Sequence, residues 1–344
     1  MSGMGEYVPV EQLNVLVISS IGEECLRQIA GVSPKIKLWD ASDLWDAPDM
    51  VTAERKGDAS NEKFNTLLAQ AEVIYAYRPP KNVIARAPKL KWIQTMLAGV
   101  DHILDNDIVQ SPVILTNTSG IHAGPVSEVA LEMMLMFAKQ APFCFQSKQE
   151  KRWQRFIPDL LGSQTVGIVG LGSIGKEVAR LAKAFGMRVL ATRRSTKRVT
   201  RARYVDAVYP KEQLPKLLSQ SDFVVLTLPL TPETNKLIGE EELRTMKSTA
   251  YLINVGRGGT VDEASLIRAL DAGWIAGAGL DAFTTEPLPV DSKLWELPNI
   301  ILSPHVAGRR EDYNVVATEL FCENLKRYLS GKKLLNVVDK KRGY

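Results

Sequence analysis

Three ionisable side chains in the second half of this sequence have the types and settings of an acid–base site. His305 follows an apolar run in "NIILSPHVAG", where Pro304 and Gly308 bracket it in a turn. A histidine can hand a proton to a carbonyl oxygen at neutral pH. A carboxylate beside the ring would orient it and favour its charged form. Glu286, in "GLDAFTTEPLP", is the best candidate for that carboxylate.

Arg257 is the third of these side chains, and it lies in the glycine-rich turn of "AYLINVGRGGTVDEASL". The turn follows a predicted strand, and open α/β sheets bind ligands at the carboxyl ends of their strands. A guanidinium in that position can hold a carboxylate through two parallel hydrogen bonds. The alternative is an ordinary surface arginine, which the flanking Gly256 and Gly258 disfavour. Arg257, Glu286 and His305 are therefore the candidate catalytic residues.

The other two histidines have no comparable setting. His102 lies in "AGVDHIL" and His122 in "SGIHAGP". We interpret both as structural or surface residues.

A glycine loop in "TVGIVGLGSIGKEVARLAKAFG" predicts a nucleotide site. Gly170, Gly172 and Gly175 have the G-x-G-x-x-G spacing, after an apolar strand and at the start of a helix. In that context the glycines allow a tight turn, a close approach of the backbone to a pyrophosphate, and packing of the helix on the strand. A packing loop and an S-adenosylmethionine site are the alternatives.

The next strand ends in "ATRRSTKR", where nucleotide sites for NAD usually have an acid that holds the ribose hydroxyls. Arg193 and Arg194 occupy that place, and Ser195, Lys197 and Arg198 add further donors. An arginine cannot accept hydrogen bonds from a ribose diol, but it can donate a planar fork to a phosphate. The pattern predicts a 2′-phosphate, and a solvated basic loop is the alternative.

Two series of strand and helix patterns position these residues. The first third alternates short β-branched runs with helical patterns, which predicts a parallel sheet covered by helices. Its predicted strands are "NVLVIS", "KIKLW", "EVIYAY", "KWIQTM" and "VILTN". The second series has the predicted strands "TVGIVG", "MRVLAT", "FVVLTLP", "AYLINV", "IAGAGL" and "IILSP". Between the two series, "GPVSEVALEMMLMFAKQ" predicts a long helix and "APFCFQSKQEKRWQRF" a connector.

Bulk composition limits the class of protein. A chain of 344 residues predicts about two domains. The net charge of +4 is too small to indicate a protein that coats nucleic acid. Three distant cysteines suit a reduced, cytoplasmic protein and form no metal-ligand spacing. We expect no secretory leader and no membrane span, because the most apolar helical stretch is short and contains an acid.

Four motifs occur in the order in which they occur in the D-isomer-specific 2-hydroxyacid dehydrogenases, a family that the chain resembles from about residue 70 to residue 330. They are "VGIVGLGSIGKEVARLAKAFGM", "LINVGRGGTVDEASL", "GLDAFTTEPLP" and "SPHVAG". The upstream "LKWIQTMLAGVDHIL" is similar to the family's substrate loop. The resemblance implies a two-lobed α/β fold, with a Rossmann cofactor domain inserted in a flavodoxin-like substrate domain. The expected boundaries are 121–305 for the cofactor domain, including a dimerisation connector, and 1–120 with 306–344 for the substrate domain.

The resemblance also implies roles for particular residues. Arg257 would bind the substrate's carboxylate and carbonyl oxygen, His305 would be the acid–base group, and Glu286 would support it. Asp281 would meet the nicotinamide amide. The substrate contacts expected from the resemblance are Leu97, Ala98, Gly99, Arg257 and His305. Tyr77 and Arg78, in "IYAYRPP" close to the end of a predicted strand, are further candidates for substrate contact, with a plain surface role as the alternative. The expected cofactor contacts are Gly170, Gly172, Ser173, Ile174, Gly175, Thr192, Arg193, Arg194, Ser195, Leu228, Pro229, Thr234, Val255, Gly256, Arg257, Asp281, His305 and Gly308.

The implied activity is hydride transfer between a 2-keto acid and a D-2-hydroxy acid, with NADPH preferred and NAD as a weaker alternative. Glyoxylate, hydroxypyruvate and larger 2-keto acids all remain open. A nucleotide-sensing corepressor or interaction protein on the same fold is the competing function. No metal, nucleic acid or membrane partner is expected.

A homodimer is also implied, through the connector region. The candidate interface residues are Met133, Met134, Phe143, Phe145 and Trp153, with packing inside the chain as the alternative. Leu97 and Ala282 depart from the residues that the family usually has at these places.

Overall fold

The chain divides into two compact units in a computed structural model that describes residues 11–44, 62–101 and 103–343. The first unit comprises residues 1–121 and 310–344, and the second is the continuous stretch 122–309. The second unit is therefore inserted into the sequence of the first. His102 lies outside the described residues.

The first unit is built on a five-stranded parallel sheet in the order β2-β1-β3-β4-β5. This is the flavodoxin-like order. The strands are β1 Leu13–Val17, β2 Ile36–Asp40, β3 Val73–Ala76, β4 Trp92–Thr95 and β5 Ile114–Thr116. The helices are α1 Glu23–Ala30, α2 Glu62–Gln70, α3 Val83–Arg86, α4 Asn106–Gln110 and α11 Tyr313–Leu329.

Both faces of this sheet are covered, because successive side chains of a strand point to opposite faces. On β1, Val15 and Val17 join a cluster with Phe321 of α11, whereas Leu16 joins a cluster with Phe64 of α2. Tyr75 of β3 is fully buried and stacks on Phe321, with ring centroids 4.3 Å apart. The apolar runs that predicted these strands therefore supply side chains to two hydrophobic clusters, one on each face of the sheet.

The second unit contains an eight-stranded sheet in the order β13-β12-β11-β10-β6-β7-β9-β8. All neighbours are parallel except β8 and β9. The strands are β6 Thr165–Val169, β7 Arg188–Thr192, β8 Thr200–Ala202, β9 Val205–Tyr209, β10 Phe223–Leu226, β11 Tyr251–Asn254, β12 Gly277–Leu280 and β13 Ile300–Leu302. The helices are α5 Ala123–Ala138, α6 Ala141–Gln149, α7 Ser173–Ala184, α8 Leu214–Gln220, α9 Glu240–Thr245 and α10 Glu263–Asp271.

The strand order of the second unit reverses at β6. The chain continues from β6 to β7 on one side and returns to β10 on the other. Such a switch point leaves a crevice at the carboxyl ends of the strands, where open α/β sheets bind their ligands. The glycine loop begins in this crevice, immediately after β6 ends at Val169.

The α/β class and the parallel sheets expected from the sequence are confirmed. The sequence patterns did not predict the β8–β9 hairpin or helix α8, and the stretch interpreted as a connector contains helix α6. Within the described residues, no helix combines the length and the apolar character required to cross a bilayer.

Candidate functional site

His305 and Glu286 form the closest ionisable pair of the candidate site. His305 Nδ1 lies 2.7 Å from Glu286 Oε2. Burial raises the pKa of the Glu286 carboxyl, but hydrogen bonds from His305 and the Phe283 N–H, with the charges of His305 and Arg257, lower it more. The carboxylate is therefore ionised at neutral pH and accepts from Nδ1–H, which leaves Nε2 as the ring nitrogen available for proton exchange.

The turn that carries His305 is held by Asp281, at the end of β12. Asp281 is 2% exposed, and its carboxylate accepts hydrogen bonds from Ser303 Oγ at 2.6 Å and from the N–H groups of Val306 and Ala307 at 3.0 and 3.1 Å. His305 itself has a φ of +52°, in the left-handed region. Asp281 thus fixes a turn that an L-residue rarely adopts. The expected contact of Asp281 with a nicotinamide amide stays a prediction.

Arg257 follows β11 in a turn that its neighbours close tightly. The Arg257 carbonyl accepts from Asn254 Nδ2 at 3.0 Å and from Thr260 Oγ1 at 2.7 Å. A Cβ atom at Gly258 would lie 1.9 Å from the carbonyl carbon of Phe283. Only glycine permits this approach, which presses the Arg257 turn against the segment that leads to Glu286.

Arg257, Glu286 and His305 are therefore brought together in the second unit. Glu286 Oε1 accepts from the Phe283 N–H at 2.9 Å, on the same backbone that Gly258 touches. The Arg257 charge is the smallest of the contributions that lower the pKa of the Glu286 carboxyl, after those of His305 and the Phe283 N–H. The set can supply a proton from an oriented imidazole and a cation for a developing negative charge.

The glycine loop has the form that a bound pyrophosphate needs. Gly170 has a φ of +105°, and Thr227 Oγ1 donates to its carbonyl at 2.6 Å. A Cβ at Gly175 would lie 2.2 Å from the Gly170 carbonyl oxygen, whereas a Cβ at Gly172 would meet nothing within 4 Å. The backbone conformation at Gly170 and the close contact at Gly175 therefore require glycine at both positions. Gly172 leaves open space at the N-terminus of α7, beside Ser173, where an anion is favoured.

Arg193 lies beside this loop at the same sheet edge. Thr192, the last residue of β7, pairs with Val169 of β6, so Arg193 and Gly170 leave neighbouring strands together. Arg193, Arg194 and Ser195 are exposed. The Arg193 N–H donates to the Tyr209 carbonyl at 3.1 Å, and its carbonyl accepts from Thr196 at 3.0 Å. The basic side chains are thus presented on an ordered turn.

The remaining expected cofactor contacts lie in loops that follow strands of the same sheet or at the start of helix α7. The Leu228 side chain packs where a Cβ of Gly170 would stand, and Thr234 Oγ1 donates to the Pro229 carbonyl at 2.7 Å. Ile174 lies in the first turn of α7, and Val255 and Gly256 begin the Arg257 turn. Gly308 contacts His122, whose Nδ1 lies 3.1 Å from the Gly308 carbonyl oxygen. His122 is therefore a structural neighbour of the His305 turn.

The expected substrate loop, residues 97–99, belongs to the first unit and follows β4. The Leu97 carbonyl accepts from the Thr118 N–H at 3.2 Å, and the Ala98 carbonyl accepts from Asn117 Nδ2 at 2.8 Å. Within the described part of the chain, the N–H groups of Ala98 and Gly99 donate to no acceptor. Two N–H groups without acceptors on adjacent residues can bind an anion such as a carboxylate.

Tyr77 and Arg78 follow β3, next to β4 in the same sheet, and both are half-buried. The Tyr77 hydroxyl donates to Asn314 Oδ1 at 3.0 Å, and its ring stacks on Tyr313 with centroids 6.1 Å apart. The hydrogen of the Tyr77 hydroxyl is thus donated to another residue of the first unit. The role of Arg78 in substrate binding stays a prediction.

Several residues that shape the site were not predicted from the sequence. Asn254 stands two residues before Gly256, a spacing at which an asparagine side chain closes a turn on its own backbone, and this signal could have found it. Ser303 and Thr227 carry no sequence signal. Among the described residues, no group of three or more His, Cys, Asp or Glu side chains is arranged to hold a metal ion.

Comparison with known proteins identifies the family of the chain. Residues 131–307 match the family model for the NAD-binding domain of D-isomer-specific 2-hydroxyacid dehydrogenases. The glyoxylate reductase of Korarchaeum cryptofilum is 37% identical over 274 residues, which cover 75% of this chain and 78% of the relative.

Two solved structures resemble the whole chain. One is a D-isomer-specific 2-hydroxyacid dehydrogenase from Xanthobacter autotrophicus in complex with NADPH, 30% identical, with a TM-score of 0.79 and coverage of 96% of this chain and 100% of that one. The other is an NADPH-dependent glyoxylate/hydroxypyruvate reductase from Sinorhizobium meliloti in complex with NADP, 27% identical, with a TM-score of 0.80 and coverage of 97% and 100%. The chain belongs to the D-isomer-specific 2-hydroxyacid dehydrogenase family.

Proposed function

We propose that this protein reduces a 2-keto acid to a D-2-hydroxy acid with NADPH as the preferred cofactor. The observation that carries the proposal is the 2.7 Å contact between His305 Nδ1 and Glu286 Oε2, next to the Arg257 turn. Membership of the family and the names of the relatives support the same reaction.

NADPH fits the residues around the glycine loop. Open space at Gly172 and the α7 N-terminus suit the pyrophosphate, and Arg193 and Arg194 suit the 2′-phosphate. The neighbouring structures that contain NADPH or NADP support this choice. The chemistry expected of the bound cofactor is the supply of a hydride to the carbonyl carbon of the substrate.

Each member of the catalytic set has a distinct task in this proposal. Glu286 orients the His305 ring by accepting a hydrogen bond from Nδ1–H. His305 Nε2 then gives its proton to the substrate oxygen, where negative charge develops. The Arg257 guanidinium stabilises that charge.

Short 2-keto acids are the first substrates to test. The Korarchaeum relative is a glyoxylate reductase and the Sinorhizobium neighbour a glyoxylate/hydroxypyruvate reductase. We propose the same substrates here, with the N–H groups of Ala98 and Gly99 receiving the carboxylate. The loss of absorbance at 340 nm is measured with NADPH and a panel of 2-keto acids. NADPH binding without turnover across that panel would instead favour a nucleotide-sensing protein.

Cofactor preference is tested in the same assay. We expect Arg193→Asp to shift the ratio of kcat/KM for NADPH to that for NADH by about tenfold or more towards NADH, because a carboxylate repels a 2′-phosphate and accepts from a ribose diol. An unchanged ratio would remove Arg193 from phosphate recognition.

We also infer that the protein works as a homodimer in the cytoplasm. The side chains Phe145, Trp153, Ile157 and Leu160 of the second unit are 60–92% exposed, and three of the four follow helix α6. Apolar exposure on this scale is typical of an interface. Met133 and Met134, which were candidates for that interface, are instead buried in the core of the second unit, and Phe143 packs edge-on against Phe156.

A further inference from the structure

We propose that Asn117 and the C-terminal segment of the chain position the two N–H groups of the substrate loop, and that Asn117 is therefore a positioning residue for 2-keto acid binding. This inference rests on the proposed function, because it assigns the substrate carboxylate to the N–H groups of Ala98 and Gly99. All of the contacts that carry it lie in the first unit.

Each peptide group of the substrate loop is planar. In a trans peptide the carbonyl of one residue and the N–H of the next point in opposite directions. The Thr118 N–H binds the Leu97 carbonyl, so it fixes the direction of the Ala98 N–H. Asn117 Nδ2 binds the Ala98 carbonyl at 2.8 Å, so it fixes the direction of the Gly99 N–H.

A hydrogen bond to the carbonyl also polarises the peptide. Both peptides of the loop therefore present N–H groups that are oriented and slightly more positive than in a free peptide. An anion that accepts from these two N–H groups is stabilised both by their fixed orientation and by their polarisation, without any charged side chain.

Asn117 is itself rigidly held. It is 5% exposed, and its Oδ1 accepts from the Ser119 N–H at 3.0 Å, which fixes the amide so that Nδ2 faces Ala98. Its main-chain N–H donates to the Asn336 carbonyl at 3.2 Å. Asn336 Nδ2 donates to the carbonyls of Ser119 and Asn117, at 2.7 and 3.3 Å.

The C-terminal segment, residues 334–340, anchors Asn336 on both sides. Before it, the Leu335 N–H donates to Asn324 Oδ1 at 2.7 Å. After it, Val337 bridges Thr116 as a short antiparallel addition to β5. Further on, Lys340 Nζ donates to the carbonyls of Ile108, Ser111 and Val113 at 2.7–2.9 Å. The C-terminal segment is thus coupled to the substrate loop through Asn117, which binds Ala98, and through its neighbour Thr118, which binds Leu97.

The test uses Asn117→Asp, which keeps the shape and the Oδ1 acceptor but removes the donor to Ala98. We expect KM for glyoxylate to rise about three- to tenfold, the size of one lost hydrogen bond, with kcat changed less than about twofold. The affinity for NADPH should not change. Lowering the pH should restore KM towards the wild-type value at the same pH, because the protonated carboxyl can donate to Ala98 again.

Asn14→Ala is the matched control, since Asn14 Nδ2 also donates to a main-chain carbonyl of the first unit, that of Gln70 at 3.2 Å. It should leave KM unchanged. Asn336→Gly, which tolerates the φ of +53° at that position, should raise KM in the same direction as Asn117→Asp. Equal effects of the Asn14 and Asn117 variants, or a loss of kcat with constant KM, would overturn the proposal.

A second readout separates this inference from the proposed function. Oxamate, a non-reacting analogue of a 2-keto acid, is titrated into wild-type protein while the Gly99 amide resonance is followed by NMR. A shift that saturates, and that needs about three- to tenfold more oxamate in Asn117→Asp, supports the positioning role even where no 2-keto acid is reduced. An unmoved Gly99 resonance in wild-type protein overturns it even where reduction proceeds.

Discussion

His305 combines an unusual backbone conformation with the proton that the proposed reaction needs. Its φ of +52° lies in a region that asparagine, aspartate and histidine enter more readily than other residues with a side chain. A substitution that removes the imidazole without straining the turn must therefore come from this small group. Asn is the neutral choice, because it adds no charge beside Glu286.

We expect His305→Asn to lower kcat by about two to four orders of magnitude, the usual contribution of a general acid. The turn should persist, because Asp281 still binds the N–H groups of Val306 and Ala307. Steady-state kinetics measure the loss, and NADPH fluorescence titration serves as the control for cofactor binding. Turnover within threefold of wild type would remove His305 from the mechanism.

Glu286 gives a prediction about the pH dependence of stability. The folded state lowers the pKa of its carboxyl below the ordinary 4.5, so its contribution to stability is present above that value and is lost as the pH falls through the lowered pKa. Glu286→Gln removes this contribution at every pH. The difference in unfolding free energy between the two proteins should therefore be large near pH 5 and shrink towards pH 3.

Urea unfolding of both proteins between pH 5.5 and pH 3 measures this difference. All other carboxyl groups are common to both proteins and cancel. A difference that is constant over the range would show that the His305–Glu286 contact contributes no pH-dependent stability.

At the scale of elements, the sequence predicted what periodicity and glycine spacing encode. Apart from β8 and β9, the strands of both sheets begin and end within three residues of the predicted apolar runs. The β8–β9 hairpin was missed because its turn, at Arg203 and Tyr204, contains none of the Gly, Asn or Asp residues that usually mark one, although Tyr204 has a φ of +64°. Helix α8 has only seven residues, too few for a clear period.

The site shows the same division. Arg257 and His305 could be proposed from the sequence because each stands in a glycine- or proline-bracketed turn after a predicted strand, and Glu286 because it is a carboxylate that could accompany the histidine. The engagement of Asp281 with the His305 turn depends on where two distant strand ends, of β12 and β13, meet in the folded unit. No local pattern encodes that meeting, and the same holds for Asn117 and Asn336, which are 219 residues apart.

The glycine loop allows a test at the scale of one element. We expect Gly172→Ala to weaken NADPH binding about tenfold or more while changing the unfolding free energy by less than about 1 kcal/mol, because the new methyl group enters space that the fold leaves open for a pyrophosphate. Isothermal titration with NADPH and urea unfolding give the two values.

Gly124→Ala on α5 is the matched control, since a Cβ there also meets nothing within 4 Å. Gly124→Ala should leave the NADPH affinity unchanged. Normal NADPH affinity of Gly172→Ala would argue against a pyrophosphate at this loop.

At the scale of the whole molecule, packing within one chain leaves large apolar side chains exposed after helix α6. Trp153 and Ile157 are 92% and 91% exposed, and Leu160 is 70% exposed. Burying a large apolar side chain is worth about 1.5–3 kcal/mol, so leaving three exposed in one segment is costly in water. A second copy of the chain would remove this surface from water on both partners at once.

We therefore expect wild-type protein to sediment as a dimer at micromolar concentration. The double variant Trp153→Glu, Ile157→Glu should raise the dimer dissociation constant by at least about a hundredfold, because each change would place a charge in an apolar interface. Analytical ultracentrifugation over a concentration series measures both constants. Val290→Glu is the control, because Val290 is 97% exposed in a different loop of the same unit. A monomeric wild type at tens of micromolar, or equal dissociation by the Val290 variant, would contradict an interface at this segment.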